Sequence, residues 1–187
     1  MFHKELKICY SGTSPYNNSE YNKGGVNMYA IDLSGKNGLV LGIANEHSIA
    51  WPIAELLNAA GAKLAITYQN QRFGSRVSKL TDSFNNPLLI ECDVTQDDSI
   101  ENAFNTIKKD FGSLDFVIHS IAYADRDDLQ GNFSDVSREN FLMSLNISAY
   151  SLIPIVKHAS RLMSNGGSII AMTFQASERV FPGYNVM

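Results

Sequence analysis

Asn37-Gly38-Leu39-Val40-Leu41-Gly42-Ile43-Ala44-Asn45-Glu46-His47-Ser48-Ile49-Ala50 is the stretch that decides the fold. An apolar run from Gly38 to Ile43 fits a buried strand. A polar turn follows, and Ser48 opens an amphipathic segment that reaches Ala60 before Gly61 stops it. A strand that passes into a helix through a glycine has the shape of a phosphate-binding turn. At Gly42 the backbone can approach a pyrophosphate, and the following helix offers N–H groups without intrahelical partners and the positive end of its dipole. Only one glycine precedes the helix, so the G-x-G-x-x-G fingerprint is absent and a plain strand-to-helix connection is the competing reading.

Downstream, strand and helix patterns alternate. Lys63 to Tyr68 reads as a second strand and Arg72 to Phe84 as a helix; Pro87 to Cys92 is a third strand and Asp97 to Asp110 a helix, with Asp98 and Ser99 available near its cap. Leu114 to His119 is a fourth strand. Helical patterns run from Ser137 to Met163, with Pro154 kinking or dividing them, and Gly167 to Thr173 is a fifth strand. Strands separated by helices imply right-handed βαβ units, hence an α/β fold: a Rossmann-like, doubly wound parallel sheet with helices on both faces. Ligands of such sheets sit beyond the carboxyl ends of the strands.

Upstream the pattern stops. Tyr10 to Gly25 is polar and rich in turn formers, without helical or strand period, and residues 1–28 are expected to be a disordered tail. Codons for Lys23-Gly24-Gly25 can spell a ribosome-binding sequence ahead of Met28, so a mis-called leader with translation starting at Met28 is the alternative. Residues 29–187 form the dinucleotide-binding domain.

The 187 residues are 44% hydrophobic and 18% charged, which suits one globular domain with a sizeable core. A formal net charge of −4 supplies no basic stripe for nucleic acid. No apolar run reaches the length of a membrane span, and no signal-peptide pattern occurs at the N-terminus. The two cysteines, Cys9 and Cys92, are far apart and lack metal-ligand spacing, which fits a reducing cytoplasm and no metal site.

Candidates at the strand ends follow from position. Gly42 and Ser48-Ile49 follow the first strand. Gln69 ends the second, where an acidic ribose reader is usual; a neutral amide can still bond a ribose hydroxyl, and Arg72 is the nearest base, which favours NAD over NADP mildly. Asp93-Val94 ends the third strand, where the carboxylate can accept from an adenine amino group or serve only as a turn residue. His119 ends the fourth and is more commonly a satisfied structural histidine than a catalyst. Tyr184, in the loop after the fifth strand, is a candidate hydrogen-bond donor to an oxyanion, its ordinary pKa near 10 needing a nearby cation for acid work.

Assembled, these motifs resemble the short-chain dehydrogenase/reductase superfamily and, within it, the bacterial enoyl-[acyl-carrier-protein] reductases. The carriers are Gly42 with Ser48-Ile49-Ala50, Thr67-Tyr68-Gln69-Asn70, Cys92-Asp93-Val94, His119-Ser120-Ile121-Ala122, Asn146 to Ser151 and Pro182 to Met187. Ala171 stands where ordinary members of the superfamily carry a serine, and His119-Ser120-Ile121-Ala122 replaces their Asn-Asn-Ala-Gly.

The resemblance implies hydride transfer from NADH to the β-carbon of a trans-2-enoyl thioester on acyl carrier protein. Gly42, Ser48, Ile49, Gln69, Asp93, Val94 and Ile121 would contact the cofactor and Ala124 the substrate. Tyr184 would hydrogen-bond the thioester oxygen as an enolate develops. Phe174, where many members have a second tyrosine, would be a wall of the acyl site. A homotetramer is implied for the complete enzyme. The family's lysine would fall beyond Met187, so the sheet is expected to be incomplete at its C-terminal edge, exposing apolar surface, and the chain to be a fragment with little activity. Two alternatives remain: another short-chain reductase acting on ketones or alcohols, which Ala171 disfavours, and a non-catalytic dinucleotide-binding module.

Overall fold

Strand β1, Asn37–Leu41, is the middle of a five-stranded sheet in the computed structural model, which describes residues 31–187. The tail and the proposed start at Met28 lie outside the described residues. β1 pairs in parallel with β2 (Lys63–Tyr68) on one side and β4 (Phe116–His119) on the other, Leu39 lying in register with Ala65 and Val117. β3 (Leu88–Glu91) flanks β2 and β5 (Ser168–Ala171) flanks β4, both in parallel, giving the order β3-β2-β1-β4-β5. Helices make the crossovers: α1 (Ala50–Ala59), α2 (Gln71–Leu80) and α3 (Asp97–Phe111), then α4 (Arg138–Leu145) and α5 (Leu152–Ser160) between β4 and β5. The doubly wound α/β architecture expected from the alternation is the one observed.

The two-residue period of β1 divides the core between the two faces. Leu39 and Leu41 pack with Ile100 and Ile107 of α3 and Ile155 of α5. Val40, between them, packs on the opposite face with Ala54 of α1 and Val77 of α2. All of these are fully enclosed, so each large aliphatic side chain contributes about 1.5–3 kcal/mol by leaving water. β5 is different. Among the described residues it pairs only with β4, and Ile170 is 49% exposed.

Several boundaries differ from expectation, each for a local reason. The first strand stops at Leu41 because Gly42 turns the chain at φ +103°. The second helix ends at Leu80 and tightens into a 3-10 turn over Thr81–Ser83, where the Thr81 hydroxyl donates back to the Val77 carbonyl (2.9 Å). The third, fourth and fifth strands are shorter than their apolar runs. The helical stretch after β4 is divided at a π-turn over Asn146–Tyr150, ahead of Pro154, which lies buried inside α5.

Candidate cofactor site

β1 and β4 are neighbours whose crossovers run in opposite directions, α1 toward β2 and the α4–α5 pair toward β5. Their carboxyl ends therefore form the topological switch point, where doubly wound sheets hold ligands. A cleft of about 910 Å³ opens there. Gly42 lines it from the end of β1, Gln69 from β2, Asp93 and Val94 from β3, and Ile121 from β4.

Gly42 has a stronger reason to be glycine than access for a phosphate. A Cβ at this position would lie 1.9 Å from the Ser120 carbonyl oxygen, and its φ of +103° is one that side-chain-bearing residues rarely adopt. The β1 turn is thus pressed against the β4 turn. Ser48 holds the other side of the same turn: its hydroxyl accepts from the backbone N–H of Ala44 (3.0 Å) and of Asn45 (3.1 Å). Because the hydroxyl folds back in this way, α1 starts at Ala50, later than expected, with no side-chain cap. Ser48 and the exposed Ile49 do not line the cleft; Ser48 braces the turn beside it.

Asp93 is fixed at several points. Its Oδ1 accepts from the Thr95 N–H (2.9 Å) and the Thr95 hydroxyl (2.8 Å), and its own N–H donates to the Ser99 hydroxyl (3.0 Å). Ser99 therefore does not cap α3, whose N-cap is Gln96 and lacks a side-chain bond. It braces the loop of Asp93 instead. Both side-chain bonds of Asp93 fall on Oδ1, leaving Oδ2 for a donor in the cleft. Asn70, beside Gln69, caps α2 by accepting from the N–H groups of Arg72 (3.1 Å) and Phe73 (3.4 Å).

His119 is 2% exposed, and its Nε2 lies 2.9 Å from the Ser151 hydroxyl. That hydroxyl donates to the Ile147 carbonyl (2.7 Å), so Nε2 carries the proton and donates to it. Burial, opposed in part by a bond with its own backbone, holds the imidazole below its ordinary pKa of 6.5. It is a structural histidine tying β4 to the π-turn. Ser148 of the same turn accepts from the Tyr123 N–H (2.9 Å) and donates to its carbonyl (3.1 Å), pinning the β4 loop. The Cys92 thiol, on the cleft wall, is pushed up to about 12, chiefly by burial and further by Asp93, which keeps it protonated and unreactive.

Tyr184, Phe174 and Ala124 are not brought to the lining of this cleft. Tyr184 stacks on Phe174 (centroids 4.5 Å apart, planes at 24°) and meets Phe181 edge-on, while Phe181 also packs against Phe174. Asn185 ties this segment to the loop after β4, donating to the carbonyls of Gln130 and Gly131 (3.1 and 3.2 Å). Ala124 follows Tyr123, the last lining residue of the β4 loop. Sequence reasoning missed the wall supplied by Glu139, Leu142, Met143 and Asn146, whose spacing along α4 and into the π-turn marks one helical face.

The cleft suits a dinucleotide. Its volume is within the range of ligand sites, Gln69 and Asp93, the latter with one carboxylate oxygen unbonded, are among its polar lining residues, and Ile43, Val94 and Ile121 give apolar walls. Among the described residues there is no cluster of metal-binding side chains, and no helix is long and apolar enough to cross a membrane.

The family model for enoyl-(acyl carrier protein) reductase matches residues 42–187. The enoyl-[acyl-carrier-protein] reductase [NADH] 2 of Rhizobium meliloti is 44% identical over 155 residues, covering 83% of this chain and 58% of the relative. The FabI reductase [NADH] of a Nostoc species is 46% identical over 160 residues, covering 84% and 62%. Among solved structures, the Bacillus cereus reductase with NADP+ and indole naphthyridinone superposes with a TM-score of 0.80 at 45% identity, covering 83% of this chain and 61% of that one. The Anaplasma phagocytophilum reductase in complex with NAD gives 0.80 at 42% identity, covering 82% and 59%. The chain thus spans about three-fifths of the length of the relatives it matches.

Proposed function

The chain belongs to the enoyl-(acyl carrier protein) reductase family, and from that membership we propose that it carries the cofactor-binding part of an NADH-dependent enoyl-[acyl-carrier-protein] reductase of type II fatty-acid biosynthesis. The observation that carries this reading is convergence: Gly42, Gln69, Asp93, Val94 and Ile121 leave four different strands and line one cleft. When bound, NADH supplies the hydride that reaches the β-carbon of a trans-2-enoyl thioester on acyl carrier protein. In this reading the Gly42 turn, held open by Ser48, receives the pyrophosphate beside Ile49. Gln69 bonds the ribose, Asp93 Oδ2 accepts from the adenine amino group, and Val94 and Ile121 enclose the apolar parts. Ala124 and Phe174 border the acyl group. Tyr184 donates its hydroxyl hydrogen to the thioester oxygen, where negative charge develops.

The relatives' names specify NADH, whereas the Bacillus cereus structure holds NADP+. Gln69 offers no charge to a 2′-phosphate, so NADH is the proposed cofactor. The enzyme is placed in the cytoplasm, in keeping with the free buried Cys92, and as a homotetramer on the family resemblance.

Fluorescence titration of the 187-residue chain with NADH tests binding, and loss of NADH absorbance with crotonyl or longer enoyl thioesters tests catalysis. Binding with little turnover is expected, because Tyr184 packs on Phe174 and Phe181 outside the cleft lining. Absence of NADH binding overturns the reading. That packing also favours the second reading, a dinucleotide-binding module without catalysis, which a complete lack of turnover alongside tight binding supports. A ketone or alcohol reductase is disfavoured by Ala171.

A further inference from the structure

The β3 loop carries more order than a turn requires. Asp93 is the second residue of Cys92-Asp93-Val94-Thr95, between a buried cysteine and a buried valine; two bonds hold one oxygen of its carboxylate and a third holds its backbone N–H. Thr95 fixes Oδ1 twice, once through its backbone N–H and once through its hydroxyl. The hydroxyl in turn accepts from the Gln96 side-chain amide (3.2 Å), which directs its hydrogen toward Asp93. Ser99, a turn into α3, takes the Asp93 N–H, and the Asp93 carbonyl accepts from the Gln96 N–H (3.1 Å). With Oδ1 occupied and the backbone braced at both ends, the side chain cannot rotate without breaking a charge-assisted bond, and Oδ2 is the one oxygen left to the cleft.

We propose that Thr95 and Ser99 are positioning residues for the adenine end of the site, an inference that rests on the cofactor reading above. They act through Asp93, Thr95 by clamping Oδ1 and Ser99 by holding the loop. Their contribution is specificity for a 6-amino purine. An adenine amino group donates to Oδ2, whereas hypoxanthine presents a carbonyl oxygen at the same place and meets the carboxylate as two acceptors. A loose carboxylate can swing away from that oxygen; a clamped one cannot.

The test compares NADH with reduced nicotinamide hypoxanthine dinucleotide by fluorescence titration of the full 187-residue chain, its Thr95→Val variant and its Thr95→Ser variant. The parent chain is expected to bind NADH about tenfold or more tightly than the hypoxanthine analogue. Thr95→Val keeps shape and backbone N–H but deletes the hydroxyl; it is expected to weaken NADH about fivefold and the analogue less than about twofold. Thr95→Ser restores the parent preference, and Ser99→Ala produces a smaller loss of the same selective kind. Equal weakening of both nucleotides by Thr95→Val means a merely structural role and overturns the proposal, as does no weakening of either. A parent that binds both nucleotides equally removes the Asp93–adenine contact and the proposal with it, while leaving NADH binding intact. A parent that binds neither overturns the cofactor reading itself.

Discussion

The carboxyl end of β3 and the segment from Met172 to Met187 both carry residues assigned to the site, but they are built by different means. At β3, Asp93 is bonded at its backbone and at one carboxylate oxygen, and its neighbours Cys92 and Val94 are buried. In the later segment Tyr184 and Phe174 are about two-fifths exposed, Val180 is 96% exposed, and order comes from three rings touching one another and from Asn185 holding one loop. The first region is preorganised by the sheet beneath it. The second is organised chiefly by its own rings and is tied to the rest of the molecule through Asn185 on the loop after β4.

Substitutions can break or sharpen this contrast. The largest effect is expected from Gly42→Val, which forces a side chain into the Ser120 carbonyl at an unfavourable φ. Strain and overpacking together should cost more than about 3 kcal/mol, read by urea unfolding, with NADH binding lost. Leu39→Ala, under the same cleft, should cost about 2–5 kcal/mol in the same assay, because it leaves a cavity in a fully buried layer. Tyr184→Phe keeps the ring stack and removes only the hydroxyl. Whatever enoyl-thioester turnover the chain shows should fall about a hundredfold while the melting temperature and NADH affinity hold.

His119 gives a pH-dependent test of the sheet-built region. Its imidazole is held below 6.5 in the folded chain, so as the pH drops past 6.5 the unfolded chain takes up a proton that the folded chain resists. Stability should therefore be full above that value and decline on acidification, and the decline should flatten in His119→Gln, measured as melting temperature against pH. The smallest effect is expected from Val180→Ser, within about 0.5 kcal/mol, since that side chain has almost no contacts to lose. A larger loss would show that the exposed segment is more firmly docked than its surface implies.

Much of this organisation was legible in the sequence because it rests on periodicity. The alternation of Leu39, Val40 and Leu41 announces a strand buried on both faces, and the helices between strands dictate parallel pairing. The strand-end residues Gly42, Gln69, Asp93 and Val94 follow from topology and Ile121 from the family resemblance, and they meet in the cleft. What was not legible depends on side chains that reach across the chain. Ser99 reads as a cap until its partner, the Asp93 N–H, is seen. Gly42 reads as a phosphate glycine, although the Ser120 carbonyl alone demands it. Pro154 looks like the breaking point, yet the π-turn before it serves to bring Ser151 to His119. Tyr184 is readable as chemistry by its motif, but no local pattern encodes its stacking on Phe174.

The contact between Gly42 and Ser120 also sets the order in which the site comes into being. The two residues are separated by about 80 positions, so their meeting closes a long loop and is a late event by chain entropy. On the ribosome, the β1 turn must wait, shaped but without its counterpart, until β2, β3 and β4 have all emerged. On the proposed reading, capacity for nucleotide is acquired when β4 docks on β1, and a nascent chain arrested before Ser120 is expected to have none.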